Sequence, residues 1–374
     1  MFNLNLVYKF YYEWWKNIDK TLFAIIISLF SLGLFFSLVS TSLIASDKLD
    51  TNNYFFFFKH LLYIVIGMIV LIFFSSLSRE NLFKISFYLF FISLFFLFLV
   101  PVLGVEVKGS KRWLNLFFLP KFQPIELVKP FIIIFIATIL CSEKSLNIYF
   151  KYLLTFMAIV PACLLLVMQP DIGQTLLIFL AWATLVFISG ISLPIILIFF
   201  SFTLLSLIYM VFFISKFTYI KDRILSFFNP IDGTHNFQSD KAIDAISSGG
   251  YFGKGIGEGT LKNRVPEAHT DYIISVISEE FGVVAIVLLL ILFLFFIYNV
   301  FKKIYLEKNE KTKLVLTGIV CLIIFQALIH IGVNIRLFPT TGMTLPFLSY
   351  GGSSIVGVSI LSGIILNLTK RKID

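Results

Sequence analysis

The chain has 374 residues, of which 59% are hydrophobic and 14% are charged. Because soluble domains carry about 25% charged residues, this composition excludes a soluble globular protein. The formal net charge of +9 at pH 7 fits either the basic cytoplasmic loops of a membrane protein or an anionic partner such as a lipid or a phosphate.

Apolar segments long enough to cross about 30 Å of hydrocarbon recur along the whole chain. They predict an all-α polytopic membrane protein that forms a single transmembrane domain over residues 1–374. The ten predicted spans are 22–45, 56–76, 84–103, 125–141, 152–168, 174–190, 192–214, 272–301, 313–336 and 350–368. The remaining segments include a leader at 1–21, a large loop at 215–270 between the seventh and eighth spans, and a tail at 369–374.

The distribution of charge predicts the orientation of these spans. An even number of spans places both termini on one side, and the leader, the inner loops and the tail are rich in lysine and arginine, which predicts cytoplasmic termini. The outer loops break this rule, because they contain Arg112, Lys121, Lys254 and Lys262. Cations there oppose the orientation, so they indicate an anionic ligand on the outer face.

The large loop contains two kinds of segment. Residues 221–230 and 239–246 alternate charged and apolar residues, as amphipathic helices at a membrane interface do. The glycine-rich segment 249–260 lacks the spacing of a phosphate-binding P-loop. It is either a flexible turn or a backbone nest in which Lys254 and Lys262 face phosphate oxygens.

Asp271 stands where the large loop meets the eighth predicted span. It is either an N-terminal cap of that helix or, at a boundary between membrane and water, a general base for a sugar hydroxyl. Glu279 and Glu280 lie two or more turns deeper, about 12 Å or more from Asp271. That separation is too long for the carboxylate pair of a retaining glycosidase. Polar contacts between helices are at least as good an explanation of these two acids.

Three further features are predicted on the outer face. Arg112 beside Trp113 provides a phosphate-binding fork next to an interfacial ring. Glu126 and Lys129, three residues apart on one helix, form either a structural ion pair or a site in which Glu126 holds Lys129 towards a pyrophosphate. The short turn at 169–173 and the segment 338–354, rich in Gly, Pro and hydroxyl groups, add polar backbone.

Together these features predict a polar cavity that opens to the outside and is lined with cations, because irregular backbone near membrane depth is tolerated only inside protein or around water. No spacing typical of metal ligands occurs, and Cys141, Cys163 and Cys321 lie in or next to apolar segments without partners.

The motifs KRWLNL, FQPIELVK, QPDIG, GGYFGKGIGEGT, VPEAHTDYI, EEFG and PFLSYGGSS occur in one order over about residues 20–368. This ordered set resembles the SEDS family of peptidoglycan polymerases. The segments GIGEGTLKNRVPEAHTDYI and TTGMTLPFLSYGGSS are more similar to the division branch, FtsW, than to the elongation branch, RodA.

The resemblance implies a ten-helix protein of the bacterial plasma membrane that polymerises lipid II, an undecaprenyl-pyrophosphate-linked disaccharide-pentapeptide, at the division septum. It implies Asp271 as the general base of a single displacement that turns the α linkage to the lipid into a β linkage in the glycan. The substrate-binding residues that it implies are Arg112, Trp113, Glu126, Lys129, Lys254, His269 and Ser349. No cofactor is predicted, although a divalent cation could share the stabilisation of the leaving pyrophosphate.

The implied partners are a class B penicillin-binding protein, which is the transpeptidase, and other divisome membrane proteins, with no nucleic acid. Other functions fit some of the same features. A lipid II flippase also needs a cationic cavity, a secondary transporter needs deep acids such as Glu279 and Glu280, and a structural scaffold would tolerate Asp271→Asn. An elongation-type polymerase also stays open. The outer placement of the cations and Asp271 favours a polymerase.

Overall fold

The computed structural model describes residues 4–41, 54–107, 110–116, 120–143, 146–228 and 237–370. These ranges form thirteen α-helices, α1 Leu4–Asn17, α2 Lys20–Thr41, α3 Phe55–Ser76, α4 Arg79–Leu103, α5 Pro124–Leu140, α6 Ile148–Met168, α7 Ile172–Ile188, α8 Leu193–Phe213, α9 Thr218–Phe228, α10 Phe237–Gly249, α11 Ile273–Leu306, α12 Glu310–Asn334 and α13 Gly352–Leu368. Two antiparallel strands, β1 Gly104–Val107 and β2 Ser110–Leu114, pair as a hairpin after α4.

The polytopic helical fold is confirmed, and one helix coincides with each of the ten predicted spans. Among the described residues, seven helices are long and apolar enough to cross a membrane, namely α2, α3, α4, α6, α8, α11 and α12. Three others, α5, α7 and α13, have 17 residues each, so the number of ten crossings stays a prediction. Residues 42–45 of the first span, 229–236 of the large loop and 371–374 of the tail lie outside the described residues.

Two helices begin four or more residues earlier than predicted because polar caps extend them. Ser78 accepts a hydrogen bond from the Asn81 main chain, so α4 begins at Arg79. Asn147 accepts one from the Tyr149 main chain, so α6 begins at Ile148. Hydropathy alone could not locate these starts, because both first turns contain polar or interfacial residues.

The core of the bundle consists of α5, α7, α12 and α13, most of whose residues are buried. By contrast, α8 buries only Val211 among its described residues and lies at the edge. In the large loop, α9 includes residues 221–228 and α10 includes residues 239–246, so both segments are helical where the structure describes them. Residues 229–230 lie outside the described residues, and a position at the membrane interface stays a prediction. The loop is therefore a folded cover above the core.

The glycine-rich segment is built into a break in α11. Gly282 has φ 75° and ψ −176°, which interrupts the helix. The freed carbonyls of Glu279 and Glu280 accept hydrogen bonds from the Lys254 and Gly255 main chain at 2.9 and 3.1 Å. Beyond the break, the Val283 and Val284 amides donate to carbonyls of the same segment at 3.0 and 3.1 Å. Four main-chain hydrogen bonds thus fix this segment to α11, so it is not a free turn.

We expect Gly282→Ala to destabilise the fold strongly. The side chain would have to adopt a positive φ and would overlap the Tyr251 carbonyl and the Gly253 nitrogen. The left-handed backbone costs about 1–2 kcal/mol, and overpacking adds about 1–3 kcal/mol. The matched control is Gly257→Ala, which has φ 86° and no neighbour within 4 Å. In detergent, the midpoint of thermal unfolding should fall clearly further for Gly282→Ala; equal falls would contradict the close packing.

Candidate functional site

A cavity of about 1380 Å³ lies at the end of the bundle that carries the hairpin and the large loop. The first turns or N-caps of four helices border it, through Gln123 of α5, Gln174 of α7, Tyr272 of α11 and Gly351 of α13. Because each helix N-terminus is the positive end of the helix dipole, this convergence favours a negatively charged ligand. Lys59 and Lys121 are exposed on the same wall.

Asp271 lines this cavity. Tyr272, rather than Asp271, occupies the N-cap position of α11. The Asp271 amide donates to the Glu267 carbonyl at 3.1 Å, and the Asp271 carbonyl accepts from Asn334 Nδ2 at 3.0 Å. Its backbone is therefore held on both sides while its carboxylate borders the space in which a substrate would lie.

The turn before Asp271 is strained. Glu267 has φ 56°, a conformation that non-glycine residues adopt only when their surroundings enforce it. Its carbonyl accepts main-chain hydrogen bonds from Thr270, Asp271 and Tyr272. Burial and the neighbouring Asp271 raise the pKa of Tyr272, so its phenol stays protonated beside the carboxylate.

Arg112 and Trp113 both line the cavity from β2. Arg112 Nε donates to the Gln169 carbonyl at 3.2 Å and Nη2 donates to the Pro170 carbonyl at 2.5 Å. The third nitrogen, Nη1, lies 3.6 Å from Asp171 Oδ2. Arg112 thus braces the turn at 169–171 with two donors and keeps Nη1 towards the cavity.

The buried Asp171 carboxylate links Arg112 to the first turn of α7. Its Oδ1 accepts from the Gln174 amide at 3.4 Å and caps α7. Burial raises the pKa of the Asp171 carboxyl above its ordinary value, and the Arg112 guanidinium acts in the opposite direction. The sequence placed Asp171 in an outer turn without assigning it a partner.

Glu126 lines the cavity, and Lys129 lies one turn behind it, outside the lining residues. The two side chains form a buried ion pair of 2.7 Å. Gln326 Oε1 accepts from the Lys129 ammonium at 2.9 Å, and Gln174 Nε2 donates to Glu126 Oε1 at 3.1 Å. Sequence reasoning missed both glutamines, although a polar amide inside an apolar helix was a usable signal.

Lys254 lies outside the residues that line the cavity. Its ammonium is 3.6 Å from Glu279 Oε1. Glu279 also accepts from the Leu261 and Lys262 amides at 2.8 and 2.6 Å, and Glu280 pairs with the buried Lys262 side chain. The two deep acids therefore bind the large loop to α11.

His269 lines the cavity, with its ring 5.6 Å from the Tyr350 ring. Ser349 is buried behind the lining, where Oγ donates to the Thr270 carbonyl at 2.6 Å and accepts from the Leu345 amide at 2.8 Å. Ser349 thus ties the segment before α13 to the turn that carries Asp271. Arg223 of α9, which the sequence did not single out, also lines the cavity.

Within the described ranges, no group of three or more His, Cys, Asp or Glu side chains is arranged to hold a metal ion. The divalent cation considered from the sequence stays a prediction.

Comparison with known proteins bears on the family. Two bacterial relatives carry the name "Probable peptidoglycan glycosyltransferase FtsW". The relative from Caulobacter vibrioides is 31% identical and covers 96% of this chain and 91% of its own length. The relative from Nitrosomonas europaea is 33% identical and covers 94% of this chain and 92% of its own length.

Solved structures share the fold. A chain of a peptidoglycan synthase complex that coordinates polymerization and crosslinking superposes with a TM-score of 0.77 and 26% identity, covering 94% of this chain and 97% of that one. The rod shape determining protein RodA of Thermus thermophilus superposes with a TM-score of 0.69 and 26% identity, covering 94% and 96%. The model of the FtsW, RodA and SpoVE cell cycle proteins matches residues 20–373. The chain therefore belongs to the FtsW/RodA/SpoVE family of cell cycle proteins, as its motifs predicted.

Proposed function

We propose that this bacterial membrane protein is a peptidoglycan glycosyltransferase that polymerises lipid II into glycan strands during septal wall synthesis. The observation that carries the proposal is the cavity, which Asp271, Arg112 and four helix N-termini border together. Its volume of about 1380 Å³ exceeds that of an ordinary small-molecule pocket, as a lipid-linked disaccharide with a peptide requires. The FtsW names of both relatives support this activity and the division role.

Asp271 acts as the general base. The acceptor 4-hydroxyl oxygen attacks the anomeric carbon of the donor while Asp271 takes its proton, and the bond from that carbon to the pyrophosphate oxygen breaks. Undecaprenyl pyrophosphate leaves from the opposite face. One carboxylate suffices for this displacement, so Glu279 and Glu280, which hold the loop to α11, need no role in it.

The leaving pyrophosphate gains negative charge, which the cavity stabilises. Arg112 Nη1 and the helix N-termini supply fixed positive ends in a space partly shielded from water. Lys129 acts through Glu126, because its ammonium is committed to Glu126 and Gln326. Trp113 and His269 provide ring surfaces for the substrate, Ser349 positions the Asp271 turn, and Lys254 pairs with Glu279 outside the cavity lining.

We also propose that both termini are cytoplasmic, that the cavity faces outwards and that the protein acts at the septum. The basic leader and tail support this orientation. A class B penicillin-binding protein is the proposed partner, together with other divisome membrane proteins. The similar synthase complex, in which polymerization and crosslinking are coordinated, supports that choice.

The proposal is tested with the full chain and its partner transpeptidase in vesicles that contain lipid II. Glycan strands and the passage of lipid II across the bilayer are measured in the same sample. Strand formation without passage is the expected result. Passage without strands would identify a lipid II flippase instead. If the sample shows neither strands nor passage, a structural scaffold is the remaining function.

A further inference from the structure

Gly342 lies in the cavity wall beside both Arg112 and Asp271. A Cβ atom placed on Gly342 would lie 3.5 Å from Arg112 Nη1 and 3.7 Å from Asp271 Oδ2. The guanidinium and the carboxylate therefore face one common gap, which the missing side chain of Gly342 leaves open. With φ 70°, Gly342 also adopts a backbone conformation that favours glycine.

The backbone on both sides of Gly342 is fixed. Three flanking carbonyls are held by side chains of α9 and α12, with Arg223 Nη1 at 2.8 Å from Thr340 O, His330 Nδ1 at 2.7 Å from Met343 O and Gln326 Nε2 at 2.9 Å from Thr344 O. Gly173 of α7 packs against the same segment, since a Cβ there would lie 2.8 Å from Thr341 Cβ and 2.9 Å from Met343 Sδ. The segment cannot move back to make room for a side chain at position 342.

One nitrogen of Arg112, Nη1, faces this gap. Nε and Nη2 donate to the carbonyls of Gln169 and Pro170. Nη1 is the nitrogen nearest Gly342, and its contact to Asp171 Oδ2 among the described residues is longer, at 3.6 Å. An anion in the gap would therefore meet a donor whose orientation the other two hydrogen bonds already set.

We propose that Gly342 is a positioning residue of the transferase, which keeps open the gap between Arg112 and Asp271 in which the groups react. The gap beside it admits the reacting part of a lipid-linked sugar pyrophosphate, where the acceptor hydroxyl meets Asp271 and the leaving phosphate meets Arg112. This inference rests on the proposed function. A methyl group at position 342 fits the unliganded protein at ordinary van der Waals distance, but it fills space that the reacting groups need.

The test compares Gly342→Ala with Gly190→Ala in the full chain. Gly190 has φ 95° and no neighbour within 4 Å, so the control also places alanine at a positive φ, but outside the cavity lining. Strand formation from lipid II and thermal unfolding are measured for both. Because a misplacement of about 1 Å can cost about 100-fold in rate, we expect Gly342→Ala to lose about 100-fold in kcat/KM. Gly190→Ala should stay near wild type, with similar unfolding midpoints for the two variants.

Each other outcome counts against the inference. If Gly342→Ala makes strands as fast as Gly190→Ala, the gap is not where the reaction occurs. If Gly342→Ala fails to fold while Gly190→Ala folds, the space is not open in the unliganded protein. If the wild-type chain makes no strands, the proposed function itself is wrong. If only the comparison of the two variants fails, the inference about Gly342 is wrong and the proposed function stands.

Discussion

Asp271→Asn should bind lipid II as tightly as the wild-type protein, or more tightly, but form glycan strands about 10²- to 10⁴-fold more slowly. The amide has the shape of the carboxylate and cannot take the proton of the acceptor hydroxyl. It also removes a negative charge from a cavity that holds an anionic substrate, so binding has no reason to weaken. The measurement is kcat for strand formation together with lipid II binding to the same preparation.

The matched control for this prediction is Asp244→Asn. Asp244 lies on α10, is about half-exposed and pairs with Lys241 at 3.2 Å. Such a surface pair contributes about 0–1 kcal/mol, so activity and stability should stay near those of wild type. Equal strand formation by Asp271→Asn and Asp244→Asn would show that Asp271 has only a structural role.

Lys262→Met should destabilise the fold by about 3–5 kcal/mol, because it leaves the buried Glu280 carboxylate without its cation. Lys262 is 1% exposed and pairs with Glu280, which is fully buried. The thermal unfolding midpoint in detergent should fall accordingly. The double variant Lys262→Met/Glu280→Met should recover most of the loss, since apolar residues of similar size can replace a buried pair.

Lys254→Met serves as the control in the same loop. Its ammonium lies 3.6 Å from Glu279 and its side chain is 34% exposed. Because Glu279 keeps the hydrogen bonds from the Leu261 and Lys262 amides, the loss should be clearly smaller than for Lys262→Met. If Lys262→Met destabilises no more than Lys254→Met, the pair between Lys262 and Glu280 does not hold the loop to α11.

Hydropathy predicted the helices of the bundle because each span needs its own continuous apolar segment. The alternation of charged and apolar residues predicted helices where α9 and α10 lie. Hydropathy could not locate the break at Gly282, since one predicted span, 272–301, runs through that position. That break depends on hydrogen bonds to residues 250–255, which no local pattern encodes.

Part of the candidate site could be predicted, because several of its residues lie in recognisable motifs. Asp271, Arg112, Trp113, Glu126 and His269 were identified from motifs, and all five line the cavity. Lys254 was expected there from its charge, but the loop folds towards Glu279 instead.

Contacts between residues of different helices could not be predicted from sequence patterns. Gln174 and Gln326 meet the pair of Glu126 and Lys129 from two other helices. Gly342 shows the same limit, because the sequence marked its segment as rich in Gly, Pro and hydroxyl groups but not the gap between Arg112 and Asp271. Only the folded chain brings these residues together.

The configuration of the new linkage is the most direct test of a single displacement at Asp271. Strands made from lipid II by the chain and its partner would be analysed by NMR at the anomeric carbons that join the disaccharides. A single displacement inverts each of these carbons once, so the account predicts β linkages throughout. Retained α linkages would contradict it, because retention requires a second displacement and a nucleophilic carboxylate close to Asp271.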